Sequence, residues 1–142
     1  MITTQMITTE MIKNLRPCEK RFNNYLYYYG ENKTFTYAEF ISLKKISFSD
    51  KIWVLTYLMT LENLVLFAKE IAYRTQETTQ CADQQKATRR LVAQKGVTLY
   101  AQYAAKPGVE DFVRYATRNV ARYGARYGAR HLVLNLTLKY LK

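Results

Sequence analysis

A chain of 142 residues, 49% of them apolar and 14% aromatic, is long enough to enclose a core and too rich in apolar side chains for a disordered polymer. Its formal charge of +11 is uneven: residues 1–83 hold ten Lys/Arg against nine Asp/Glu, and residues 84–142 hold twelve against two. That asymmetry points to an acidic partner, whether nucleic acid, protein surface or anionic membrane, and it excludes mimicry of DNA, which needs an acidic surface.

The opening, MITTQMITTEMIK, repeats every five residues with Met at 1, 6 and 11. Its terminal place predicts a flexible or weakly ordered arm over 1–14 ahead of a single helical domain over 15–142. It has neither the basic region nor the apolar run of a secretory signal. Pro17 fits the first turn of a helix carrying Cys18, Phe22, Tyr25, Leu26 and Tyr29 at steps of three and four, which Gly30 ends. Thr36 and Glu39 in TYAE form a capping-box pattern opening a short helix with Phe40, Ile41 and Leu43.

Ser47 or Ser49 then caps a helix through Ile52, Trp53, Leu55 and Tyr57, apolar on nearly every side and so expected at the centre, with Trp53 read as core. Thr60 caps the next, where Leu61, Leu64, Val65, Ala68, Ile71 and Ala72 make the inward stripe and Glu62, Lys69 and Arg74 the wet side. Polar residues interrupt the apolar stretch from Ile52 to Ala72, so it reads as core and not as a membrane span. Helices are expected over 83–94 and 97–105, divided by Gly96 and stopped by Pro107 and Gly108. A long basic C-terminal helix starts near Glu110 and Asp111, whose charges suit a helix N-terminus. At its end Leu132, Leu134, Leu136 and Leu138 alternate as in a strand, and periodicity does not choose between strand and helix there.

Within that last segment Arg recurs at 114, 118, 122, 126 and 130, with Tyr115, Tyr123 and Tyr127 following three of them. On a helix this row drifts about 40° per step and forms an inclined ridge. Two neighbouring rows are small: Ala116, Val120, Gly124 and Gly128, then Thr117, Ala121, Ala125 and Ala129. Such rows let a second helix approach closely, and glycine inside a helix costs about 1 kcal/mol against alanine. The ridge therefore reads first as architecture, with Arg and Tyr snorkelling outward. The exposed arginines also fit a row of phosphates, and the tyrosines fit base stacking.

No catalytic or metal centre and no cofactor site is legible. Cys18 and Cys81 match no metal or redox spacing and read as reduced thiols of a cytoplasmic protein. His131 has no carboxylate beside it in sequence, and nothing local supports a Cys81–His131 dyad. No phosphate-cradling glycine loop or nucleophile elbow is present.

Taken together, LRPCEKRFNNYLYYYG (15–30), DKIWVLTYLMTLENLVLFAKEIAYRT (50–75), QQKATRRLVA (84–93) and the four-residue repeat of the tail resemble a family of small helical immunity proteins of bacteria and phages, the immunity protein 5-like group. The resemblance runs from about Leu15 to the end. This tail is more basic than the alanine-dominated tails of that family, and QQKATRR lacks its proline and glutamate. The resemblance implies a non-enzymatic helical protein that binds and neutralises a macromolecular partner, such as a host defence component, in the host cytoplasm if phage-encoded. It carries over no site residue.

The expected fold is therefore all-α, a compact bundle of about six helices. The candidate partner- or phosphate-binding residues are Arg114, Tyr115, Arg118, Arg122, Tyr123, Arg126, Tyr127 and Arg130, with Arg89, Arg90 and Lys95 beside them. A protein target is the first reading and nucleic acid the alternative. A third reading is a homo-oligomer joined through the Gly124/Gly128 face. No membrane partner is expected.

Overall fold

The computed structural model describes residues 5–78, 109–127 and 130–141. Among these the fold is mostly helical, with seven helices and one small sheet. The chain divides into two units, Met1–Val54 and Leu55–Lys142.

In the first unit the second copy of the opening repeat is structured rather than a flexible arm. Strand β1 (Met6–Thr8) pairs antiparallel with β2 (Thr34–Thr36), placing Ile7 opposite Phe35. Both of those side chains are buried. Thr8 then caps α1 (Thr9–Asn14) by accepting from Met11 N at 3.1 Å, and Ile12 is buried on that helix. The physical reason lies outside the segment: β1 is ordered by a partner strand 28 residues away in its register, a contact no local pattern announces. Buried Thr9 holds the junction, its hydroxyl lying 2.9 Å from Tyr25 OH and 3.1 Å from the carbonyl of Gly30. Burial pushes the Tyr25 hydroxyl above its ordinary pKa, against the opposing bond to Thr9.

Helix α2 (Glu19–Tyr29) starts at Cys18, so Pro17 precedes the cap instead of sitting in the first turn. Cys18 is an exposed free thiol, whereas Cys81 lies outside the described residues. Gly30 ends α2 at φ +84°. Helix α3 (Tyr37–Ile41) carries the full capping box, with Glu39 N donating to Thr36 at 3.1 Å and Thr36 N to Glu39 at 3.3 Å. Helix α4 (Phe48–Leu58) is capped by Ser47, which accepts from Asp50 N at 3.1 Å. Trp53 on it is half-buried rather than core. Buried Lys51 donates from Nζ to Ile41 O at 2.6 Å, at the C-terminal end of α3; burial lowers its pKa.

The second unit holds the end of α4 with α5 (Leu61–Thr78), α6 (Val109–Tyr127) and α7 (Arg130–Tyr140). Thr60 caps α5 by accepting from Asn63 N at 3.2 Å. Its inward stripe is Leu64, Phe67, Ala68 and Ile71, with Leu61 and Val65 only half-buried. The principal helix pair is α5 against α6, and the small row of α6 faces inward: Val113, Thr117, Val120, Ala121 and Gly124 are buried. Two helices, α6 and α7, stand where the sequence predicts one long one, with residues 128–129 between them outside the described set.

The ambiguous leucine segment is helical. Val133, Thr137 and Leu141 complete a four-residue row that is buried alongside Leu134 and Leu136. The helices expected over 83–94 and 97–105 lie outside the described residues.

Glu70 clasps α7 to α5, accepting from Lys139 Nζ at 2.6 Å and from Tyr140 OH at 3.2 Å, with Arg74 Nε 3.9 Å away. Asn63 adds a bond to the Tyr140 carbonyl at 3.1 Å. Burial raises the Glu70 pKa, but the bonds from Lys139 and Tyr140 and the charges of Lys139 and Arg74 outweigh it, leaving the carboxyl below its ordinary value.

Two outcomes follow. A depressed folded pKa contributes stability that is present above the unfolded pKa, roughly 4, and lost as pH falls through the folded value. Urea titrations across that window will show a steep acid limb in the native chain and a shallower one in Glu70→Gln. Gly30→Ala meets no atom within 4 Å, so its cost comes from backbone alone, about 1–3 kcal/mol, read as a lower urea midpoint.

Candidate partner-binding face

The arginine ridge divides. Arg114 is buried, with 8% of its surface exposed, and so is not part of any open contact surface. Its Nη1 donates to the Thr56 carbonyl and, at 3.3 Å, to that of Met59. These carbonyls lie where α4 ends and the chain turns toward α5; the last carbonyls of a helix lack the usual four-residue donor, and that of Thr56 also accepts from Met59 N at 3.4 Å. The guanidinium supplies the donors, and its charge suits the negative end of the α4 dipole.

Tyr57 receives both arginines of this turn: Arg114 lies 5.3 Å and Arg118 5.6 Å from its ring centroid. Arginine over an aromatic face is attracted by the ring quadrupole. Burial lowers the Arg118 pKa, Tyr57 opposes that shift, and the like charges of Arg122 and Arg114 add to it. Arginine keeps its proton throughout the physiological range, so the consequence is a half-desolvated cation next to two others.

Moving along the row, Arg114 is buried, Arg118 half-buried and Arg122 exposed. The four-residue step explains that gradient: two steps rotate the side chain about 80° around the axis, enough to carry it from the core margin into solvent. Tyr115 is 60% exposed, and positions 115, 118 and 122 share one side of α6 over about 10 Å. The open part of the ridge is thus Tyr115, Arg118 and Arg122, with exposed Arg130 and His131 at the start of α7.

Tyr123, Arg126 and Tyr127 belong to the backbone of α6, but their side chains, like Arg89, Arg90, Lys95 and Gly128, lie outside the described residues. Gly124 is buried within the chain. The sequence reading missed Tyr57, whose only local signal is a tyrosine one residue before the end of an apolar helix.

Among the described residues, no group of three or more His, Cys, Asp and Glu is placed to hold a metal ion. No helix among them is long and apolar enough to cross a membrane. No protein-family model, curated protein or solved structure matches the chain.

Substitutions should separate the two kinds of arginine. Arg114→Met leaves buried carbonyls short of donors and should cost about 2–4 kcal/mol in urea unfolding. Arg122→Ala should stay within roughly 0.5 kcal/mol of the native chain.

Proposed function

We propose that this chain is a non-enzymatic interaction protein of the immunity or inhibitor type, encoded by a bacterium or phage, that binds and neutralises a macromolecular partner. The partner is a protein with an acidic surface, and the contact face is Tyr115, Arg118 and Arg122 on α6. One observation carries this reading: a large exposed tyrosine shares one side of a helix with two arginines, while the opposite side of that helix is anchored in the core. Tyrosine and arginine are the residues most often responsible for affinity in protein interfaces, and a face on a packed helix is already ordered before binding.

The alternative is a nucleic acid held by the same arginines, supported by the concentration of positive charge in residues 84–142. Against it stands the inward turn of Arg114, which shortens any phosphate-matching row.

The test is a pull-down from lysate of the native host after nuclease treatment, with the native chain and the double variant Tyr115→Ala/Arg122→Glu in parallel. A protein retained by the native chain and lost by the variant supports the proposal. Recovery of nucleic acid alone, abolished by nuclease, selects the alternative. There, affinity should fall with salt at a log–log slope of about −0.9 per phosphate neutralised on duplex DNA.

A further inference from the structure

The first unit contains a cavity of about 300 Å³ that the α6 face does not involve. Phe22, Tyr25, Phe40 and Trp53 line its apolar part, and the Tyr25 hydroxyl is turned to Thr9, leaving its ring to the cavity. Three charged side chains line the rest: Arg16, Arg21 and Asp50. Arg21 and Asp50 neutralise each other through a 3.0 Å ion pair, so one positive charge is left over.

That charge is Arg16, whose guanidinium has no ion-pair or hydrogen-bond partner among the described residues. Its backbone is also unusual. At φ +56° it is the one non-glycine residue in the left-handed region among those described, closing α1 by donating from N to Lys13 O at 3.1 Å. Glycine performs that turn at lower cost. The arginine therefore adds nothing to the turn itself, and a strained residue lining a cavity is where a binding role is to be sought.

We propose that this cavity binds a small monocarboxylate with an aromatic or branched apolar body, its carboxylate facing Arg16 and its body against Trp53 and Phe22. One uncompensated cation matches one negative charge. At about 30 Å³ per water-sized group, the volume takes roughly ten non-hydrogen atoms, and an apolar pocket with few polar groups is the usual form of such sites.

Trp53 is the chain's single tryptophan, so its emission reports occupancy directly. The experiment titrates the full-length chain with 3-phenylpropionate and with the uncharged 3-phenylpropionamide, exciting where tyrosine absorbs little. The expected result is a saturable change in Trp53 emission, with the acid binding roughly five-fold tighter than the amide, as an exposed ion pair allows. Arg16→Gly, which relaxes the backbone, should keep or raise the Tm while binding acid and amide alike. Arg16→Gln, nearer in length, should also lose the preference. Absence of a saturable response to the acid overturns the proposal, as do equal binding of acid and amide by the native chain or an acid preference that survives both variants.

Discussion

The second unit depends on one guanidinium. Where α4 ends, Arg114 reaches in from α6 and donates to the carbonyls of Thr56 and Met59 while lying against Tyr57. Without the guanidinium these desolvated carbonyls would each lose a donor, at about 1–3 kcal/mol for a group left unpaired. An unpaired buried arginine would be worse. Each defect is removed by the other, so the end of α4 and the position of α6 are set together. The buried small residues Thr117, Ala121 and Gly124, drawn from both small rows, then let α6 lie close to its neighbours.

The same geometry explains how a repeat of one residue type yields different roles. A four-residue step overshoots a full turn by about 40°, so identical arginines leave the core margin one after another. Arg114 ends up structural, Arg118 half-desolvated over Tyr57, and Arg122 open to solvent. A strictly solvated stripe would have needed alternating three- and four-residue steps. The face we propose for binding is accordingly compact, and it is already ordered by folding.

The first unit reaches order by another route. Its sheet has only two three-residue strands, too little to stand alone. Burial of Ile7, Phe35 and Phe40, and the hydroxyl of Thr9 between Tyr25 and the Gly30 carbonyl, supply what the strands lack. The turn at Arg16 carries the chain from α1 into α2 and borders a cavity lined with aromatic rings.

Local chemistry was enough to find much of this. The capping box at Thr36, the caps at Ser47 and Thr60, the glycine stop at Gly30 and the predominance of helix are legible because each depends on residues within four positions. The four-residue spacing of the small residues on α6 was readable for the same reason. Tertiary structure decided the rest. Residues 6–14 became a strand and a helix only because Phe35 lies across from Ile7, and the even leucines of α7 became helical because Val133, Thr137 and Leu141 found a core. Which arginine of the ridge would be buried depended on where α4 ended, and that carbonyl pair is 58 and 55 residues away in sequence. Spacing along a helix sets the angle between side chains. Only packing sets which angle faces the core.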